Sequence, residues 1–431
     1  MRSSFPARRI AAVLALAPWL AVSPVQPVLA DATAPWPAIR AIEFSGNRTT
    51  RPVTMLRELV VHVGDAADPV KIEQSRQAVL DLGLFRSVEV SQRPYEDGVA
   101  LNFTVREKWY VLPLPRVDAN AEGEYAYGGQ LRWNNLFGLN QTLQLQVLER
   151  KLKEPGRSGQ FSYSGSYSIP FIGDGRSGLF FSGGHAVQDS IDGAGQHYDE
   201  TFDSAQGLWT YSLSPASLSH GWSIGTGLLW QRENTAGEFA PAPQGHATAL
   251  VAYESDNDLR YQVYSEEGTL FGARQEYAID GLASDYGYSR YTADYFHAWH
   301  LGSTPHQSLQ FLADAGAYLG GAASRPHNAF GLGGSSRLRG YDKDFVQGDA
   351  VWSVSGEYLR PLHWNWLRLL VVGEAGSAYP RFGQTGGRPV YASIGLGLRL
   401  RIVWLVNVEV EAGVAAPLVD GHRLRVFAGS V

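Results

Sequence analysis

The sequence predicts a mainly β protein, in which one small α/β domain precedes a transmembrane antiparallel β-barrel of about 16 strands. Three observations support this fold class. The chain starts with an export signal, it alternates apolar and polar residues from about residue 110 onward, and its composition favours strands. Among its 431 residues, Gly 48, Tyr 21 and Trp 12 are high counts that suit many twisted strands better than helices.

Charge and cysteine content exclude several classes of function. Lys+Arg 36 against Asp+Glu 42 gives a net charge of −6, without the clustered basic excess that marks a nucleic-acid partner. Cys 0 excludes disulfides, thiolate metal sites and a cysteine nucleophile. We therefore expect no nucleic-acid partner.

The N-terminal 30 residues have the pattern of a signal peptide. Three arginines form a positive segment, an apolar run follows at 10–22, and small residues precede a cleavage site before Asp31. The apolar run is too short to cross a bilayer comfortably as a helix. The sequence thus predicts an exported protein whose signal peptide is 1–30.

Residues 38–107 are predicted to form a compact α/β domain with the element order β-α-α-β-β. The spacing of Val53 and Leu56 indicates a first helix. Asp68 and Pro69 are the expected N-cap and first residue of a second, longer helix. From this pattern alone, the domain is either a spacer or a peptide-binding module.

From 110 to 431, helical periodicity disappears and alternation with a period of two residues replaces it. Apolar side chains alternate with arginines in 396–402 and with glutamates in 406–411. Those charges could pair across neighbouring strands, giving the charged interior and apolar exterior of a transmembrane barrel. At roughly 20 residues per strand and loop, the segment holds about 16 strands. A soluble multi-sheet protein is the alternative architecture.

The α/β domain resembles a POTRA domain through the stretches "IEFSGN", "AVLDLGLFRSVEV" and "LNFTVREKW". The resemblance implies a periplasmic domain that binds an extended peptide by adding it to a sheet edge. We expect the last strand of the domain to supply that client-binding edge, through Val99, Leu101, Phe103 and Val105.

The stretch "GLGGSSRLRGYDKDF" resembles a loop signature of the BamA/TamA-type outer-membrane family, Val-Arg-Gly-Tyr/Phe. The signature is present here as Leu338-Arg339-Gly340-Tyr341. The resemblance, which runs from about residue 38 to the end, implies a POTRA domain followed by a 16-stranded barrel in the outer membrane. It also implies that this loop folds into the lumen, where Gly340 permits a close backbone approach and Tyr341 stacks or hydrogen-bonds.

Arg339 is the expected anchor of that loop, because its planar guanidinium can bind carboxylates in a bidentate manner. Glu357 and Glu374, on the strands that follow, are the expected acceptors. The family pattern is changed at Glu374, where Asp is usual, and at Val372, where Phe is usual. Without the resemblance, Arg339 reads as an ordinary loop cation beside solvated lumenal glutamates.

The resemblance implies an outer-membrane pore that assembles or translocates polypeptides. The POTRA domain would capture an extended client, and the barrel would guide its secretion or its insertion into the membrane. The expected partners are unfolded polypeptide clients and outer-membrane lipids. Accessory periplasmic or lipoprotein subunits are further candidate partners. A passive diffusion channel or purely structural barrel is the alternative.

No enzymatic activity, cofactor or metal is expected. The sequence has no Gly-x-Ser-x-Gly elbow and no His-Glu-x-x-His motif, and its 11 histidines are scattered. We therefore assign no catalytic, cofactor-binding or metal-binding residue.

Overall fold

The structure is a computed structural model with side chains. It describes residues 36–119, 125–151, 160–173, 175–191, 197–214, 220–240, 242, 245–261, 264–319, 329–334, 337–380, 383, 389–406, 408–421 and 423–430. The predicted signal peptide at 1–30 lies outside these ranges. None of the helices in the described part of the chain is both long enough and apolar enough to span a membrane.

The α/β domain has the predicted order of elements. These are β1 (Ile39–Ser45), α1 (Pro52–Leu56), α2 (Pro69–Asp81), β2 (Phe85–Tyr95) and β3 (Gly98–Glu107). The helix α2 begins where the sequence indicated, since the Asp68 carboxylate accepts a hydrogen bond of 2.9 Å from the backbone N–H of Val70. The fully buried Met55, Phe85 and Phe103 belong to the core of this domain.

The three strands are ordered β1-β3-β2, so β3 is the central strand of the sheet. It pairs in parallel with β1 and antiparallel with β2. The predicted client-binding edge on Val99, Leu101, Phe103 and Val105 is therefore wrong: both edges of this strand are occupied. Leu101, Phe103 and Val105 are almost fully buried, because their alternation fills the domain core.

The rest of the chain forms a closed barrel of sixteen strands plus the two-residue β12, counted over the described residues. The strands are β4 (Val111–Ala119), β5 (Tyr125–Leu136), β6 (Gln141–Lys151), β7 (Gln160–Ile172), β8 (Ser177–Ile191), β9 (His197–Ser212), β10 (Gly221–Ala236), β11 (Gly245–Asn257), β12 (Arg260–Tyr261), β13 (Ser265–Ala278), β14 (Tyr288–His300), β15 (Ser308–Leu319), β18 (Ala350–Pro361), β19 (Leu367–Tyr379), β20 (Tyr391–Arg401), β21 (Glu409–Pro417) and β22 (Arg425–Ser430). Between β15 and β18, β16 (Phe330–Leu332) and β17 (Val346–Gly348) form a separate two-stranded sheet.

The predicted alternation places apolar residues outside the barrel and charges inside it. Leu396 and Leu398 on β20 are about half exposed on the outer surface. Arg399, between Leu398 and Leu400, is 2% exposed, and it lies opposite Glu411 of β21. An apolar outer surface over a polar interior is the arrangement that a lipid bilayer requires.

The inner wall of β5 to β9 differs chemically from that of β18 to β21. A cavity of about 290 Å³ lies against β5 to β9. Its lining includes Gln130, Gln144, Gln146, Ser164, Ser166, Ser182 and Ser204. The lining of this cavity is polar and uncharged, whereas the wall of β18 to β21 carries buried arginines and glutamates.

The barrel closes where its first strand, β4, meets its last, β22. The N–H of Asn134 on β5 donates to the carbonyl of Tyr110 at 2.8 Å, and in an antiparallel ladder such pairs alternate. Even-numbered residues of β4 thus turn their backbone groups toward β5, and odd-numbered residues turn them toward β22. Pro113 and Pro115 fall in the second set and have no N–H to donate to β22.

Candidate functional site

Between β15 and β18, the chain contacts the barrel wall at the predicted signature; we call the described residues 329–334 and 337–349 the lumenal loop. Leu338 is 1% exposed and has φ +52°, an uncommon backbone conformation for a residue with a side chain. At Gly340, a Cβ atom would lie 2.8 Å from the nitrogen of Pro417 and from Cβ of Ser393. Only glycine allows the loop to approach the wall this closely.

Arg339 lies at the centre of the contact, with 5% of its surface exposed. Its guanidinium donates to Glu357 at 2.7 Å, to Glu374 at 2.7 Å and to Glu411 at 3.0 Å. Its backbone N–H also donates to the second oxygen of Glu374, at 2.6 Å. One residue of the loop is therefore bound by three strands, β18, β19 and β21.

A second buried cation, Arg399 of β20, completes the arrangement. It donates to Glu357 at 2.6 Å and to Glu411 at 2.7 Å, and its third contact is the amide oxygen of Gln310 at 3.1 Å. We call Arg339, Arg399, Glu357, Glu374 and Glu411 the anchor cluster. Three carboxylates against two guanidinium groups leave a formal charge of −1 if all five groups are ionised.

The anchor cluster specifies a position for the loop more than it stabilises the barrel. Burying ions costs desolvation energy that their mutual attraction only partly offsets, whereas removing one partner leaves an uncompensated buried charge. Each guanidinium here has several carboxylate partners, which is the geometry that offsets desolvation best. The loop is consequently held in one place by groups that tolerate no simple substitution.

Tyr341 adds neutral contacts beside the anchor cluster. Its hydroxyl lies 2.6 Å from the carbonyl of Val419 and 2.9 Å from that of Ala392. Its ring packs edge-on against Tyr391 and beside Phe345. The tyrosine therefore attaches the loop to both β20 and the segment after β21.

The structure brings together all five residues predicted for the loop and its acceptors, Arg339, Gly340, Tyr341, Glu357 and Glu374. The substitution of Glu for the usual Asp at position 374 is accommodated, since both of its oxygens contact Arg339. Val372 is buried on the interior side near these groups, at 1% exposure.

Sequence reasoning missed three members of the site. Glu411 and Arg399 were recognised only as a pair on neighbouring strands, and nothing in the sequence joined them to Arg339. Phe427, whose ring lies 5.4 Å from the Arg339 guanidinium, also went unassigned. The available signal was the inward parity of Arg399 and Glu411. By contrast, Arg337 is outside the cluster: it binds Asp314 at 2.8 Å and is 42% exposed.

The α/β domain contacts the barrel mouth through two separate patches. In the first, Thr54 donates from its hydroxyl to the carbonyl of Gly138 at 2.7 Å, beside the turn between β5 and β6. In the second, Tyr261 donates its N–H to the Asp81 carboxylate at 2.6 Å, and Gln77 donates to the Tyr261 carbonyl at 2.7 Å. The two patches attach α1 and α2 to different parts of the barrel.

Two ionisable groups lie in the second patch. Burial, with Arg401 and Arg86 nearby, lowers the pKa of Lys108 to about 7. Asp81, whose carboxylate lies 3.3 Å from the imidazole of His220, raises the pKa of that histidine. Within the described ranges, no three acidic or histidine side chains are grouped so that they could hold a metal ion.

Comparison with known families separates the chain into the same parts. Residues 37–108 match the POTRA family model described as surface antigen variable number repeat. Residues 117–206 match the model of the haemolysin secretion/activation protein ShlB/FhaC/HecB family. The outer membrane protein assembly factor BamA of Neorickettsia risticii (strain Illinois) is 28% identical over 116 residues. That match covers 26% of this chain and 16% of the relative.

Solved structures share the fold at low sequence identity. CdiB from Escherichia coli has a TM-score of 0.62 at 12% identity, covering 91% of this chain and 75% of that one. CdiB from Acinetobacter baumannii has a TM-score of 0.59 at 16% identity, covering 91% and 72%. BamA from Haemophilus ducreyi lacking POTRA domains 1–3 has a TM-score of 0.53 at 17% identity, covering 93% and 85%.

The matches agree with the fold on both sides of the domain boundary, and the anchor cluster occupies the position that the loop signature indicates. The chain therefore resembles the BamA/TamA-type outer-membrane proteins, in which POTRA domains precede a β-barrel.

Proposed function

We propose that this protein is a polypeptide-conducting barrel: its POTRA domain captures an extended client, and the barrel guides that client to secretion or membrane insertion. The observation that carries the proposal is a sheet edge on β2 next to a barrel whose lumenal loop is held by buried ion pairs. The similarity of residues 117–206 to haemolysin secretion/activation proteins supports the secretion branch.

The edge available for β-augmentation is β2 instead of β3, since β2 ends the order of the described sheet. Arg76 of α2 donates to the carbonyl of Val88 at 3.3 Å, so Val88 turns its backbone groups away from β3. By the period of two, Val90 and Gln92 also face outward, and Pro94 lies at the same parity, where a missing N–H costs no ladder bond. Residues 90–94 are the open part of the edge.

An edge strand recognises a client mainly through backbone hydrogen bonds, with side-chain pockets adding specificity. Such recognition suits many unfolded sequences and requires that the client arrive extended. The apolar outer surface of the barrel contacts the lipids of the outer membrane in this proposal. The described residues carry no feature that identifies an accessory subunit.

Gln92→Pro tests the capture step, with Gln92→Ala as its matched control. Both substitutions remove the glutamine side chain, and neither disturbs the β2–β3 ladder. Only proline also removes the outward backbone donor. We expect a photocrosslinker at Ser91 to trap client in the Gln92→Ala background and to lose most of that product with Gln92→Pro. Equal crosslinking in both, or crosslinking only from Glu43 on β1, would contradict capture at β2.

The same strains distinguish the two branches of the function. Loss of one surface or secreted protein with unchanged levels of outer-membrane barrels indicates secretion, and a general fall in barrel levels indicates insertion. Unchanged levels of both classes, with unchanged passage of small solutes, would favour the passive-channel alternative.

A further inference from the structure

The starting observation is that Tyr261 contacts three separate parts of the molecule. It is 8% exposed and lies in β12, next to the barrel mouth. Its backbone is held by Asp81 and Gln77 of α2, as described above. Its hydroxyl accepts a hydrogen bond from Lys108, in the connection between β3 and β4, at 3.0 Å. The hydroxyl also accepts a hydrogen bond from Arg401, the last residue of β20.

The aromatic ring strengthens the same set of contacts. The Lys108 ammonium lies 4.5 Å from the centre of the Tyr261 ring, and the Arg401 guanidinium lies 5.0 Å from it. Cations over an aromatic face are attracted to it, and more strongly when they are removed from water. Lys108 and Arg401 are each 6% exposed, so both contacts are largely desolvated.

Arg401 connects this junction to the strands that hold the lumenal loop. It donates to Glu409 of β21 at 2.5 Å, and the two residues are directly opposite each other in the sheet. The next inward pair on the same two strands is Arg399 and Glu411, both members of the anchor cluster. The junction at Tyr261 and the anchor of Arg339 are thus consecutive rungs of a single ladder of buried charges.

We propose that Tyr261 couples the position of the POTRA domain to the attachment of the lumenal loop. When α2 holds the backbone of Tyr261, the hydroxyl fixes Arg401 against Glu409, and the neighbouring pair keeps Glu411 available for Arg339. When α2 moves, Arg401 loses one partner and the charges on β20 and β21 rearrange, which weakens the hold on Arg339. The loop has two arrangements, attached and released, and the POTRA domain biases the equilibrium between them.

The coupling rests on the proposed function only for its natural trigger, a client bound to the POTRA domain. The coupling itself can be measured without any client. Because the chain has Cys 0, Leu338→Cys supplies a single thiol, at a side chain that is 1% exposed while the loop is attached. Its rate of reaction with a maleimide in detergent or liposomes reports the fraction of molecules in which the loop is released.

The test combines a substitution in α2 of the POTRA domain with a substitution of Tyr261. Asp81→Ala removes the acceptor that holds the Tyr261 backbone, and Tyr261→Phe removes only the hydroxyl that binds Arg401 and Lys108. We expect Asp81→Ala to raise the labelling rate about 5- to 150-fold, the range of ordinary allosteric couplings. In the Tyr261→Phe background, Asp81→Ala should add little, because the connection is already broken.

Thr54→Val is the matched control, since it weakens the first POTRA patch without touching the second. It should leave the labelling rate near that of the parent. Additive effects of Asp81→Ala and Tyr261→Phe, no effect of either, or an equal effect of Thr54→Val would each overturn the proposal. Heat-modifiable migration on gels verifies that every variant retains a folded barrel. Failure of the Gln92→Pro test would reject client capture and leave this result untouched.

Discussion

Replacing Arg339 by alanine is the most direct test of the anchor cluster. The substitution leaves Glu357 and Glu411 with Arg399 as their guanidinium partner and removes the guanidinium that binds Glu374, so the formal charge of the cluster changes from −1 to −2. Breaking a buried ion pair by removing one partner costs about 3–5 kcal/mol. Since every 1.4 kcal/mol is a factor of ten, the released fraction of the loop should rise roughly a hundred- to several-thousand-fold.

The assay is again the labelling rate of the thiol introduced by Leu338→Cys. The matched control is Arg337→Ala, the same change two residues earlier in the same loop. Arg337 is 42% exposed and binds a single carboxylate, and an exposed pair of this kind contributes about 0–1 kcal/mol. We expect a large increase in labelling for Arg339→Ala, up to the rate of a free thiol, and at most a few-fold increase for Arg337→Ala.

Two results would refute the reasoning. Labelling within twofold of the parent for Arg339→Ala would show that buried charges do not hold the loop. Equal increases for both variants would show that any lost cation matters, without a special role for the cluster. Arg339→Lys sharpens the test, because one ammonium cannot reproduce the planar fork that contacts three glutamates.

Three further predictions concern single contacts. Tyr341→Phe leaves two carbonyls without their hydroxyl partner, so the labelling rate should rise by the equivalent of about 1–3 kcal/mol, less than for Arg339→Ala. An unchanged rate would show that this hydroxyl does not help to hold the loop. Pro113→Val and Pro115→Val restore donors that face β22, so each should raise the unfolding midpoint in denaturant by the equivalent of about 0.5–1.5 kcal/mol, and a lowered midpoint would contradict the assigned parity of β4. In the unfolded chain, Lys108 has its ordinary pKa of 10.5. In the folded protein, the lowered pKa of about 7 means that the side chain releases its proton near pH 7. The unfolded state therefore binds more protons in this window, stability should rise as the pH increases through it, and Lys108→Met should abolish that slope in denaturation measured at several pH values.

The fold followed closely from local signals in the sequence. Asp68 and Pro69 correctly marked the start of α2, because capping and the fixed φ of proline act within one helical turn. Strict alternation correctly separated the inner from the outer face of β20. Val53 and Leu56, whose spacing indicated a helix at this place, are 47% and 42% exposed. The helix α1 ends after five residues, so its periodicity had too few positions to define a face.

The remaining errors arise from contacts between segments that are distant in sequence. The order β-α-α-β-β does not reveal that β1 joins β3, so the central strand was taken for an edge. Glu411 lies 72 positions after Arg339, and only closure of the barrel brings the two together. Glu357 and Glu374 were predictable because the loop signature identifies them by family resemblance, not because any spacing requires them.

The two different inner walls have a consequence for ion permeation. The lumenal loop is attached to a wall that carries buried charges, so its arginine neutralises glutamates there. The cavity of about 290 Å³ lies instead against the hydroxyls and amides of β5 to β9. A small ion passing beside these groups meets weak dipoles, because none of the side chains that line the cavity carries a formal charge. We therefore expect a reversal potential near zero in a salt gradient across a planar bilayer, and detachment of the loop should shift it toward cation selectivity as the glutamates become uncovered.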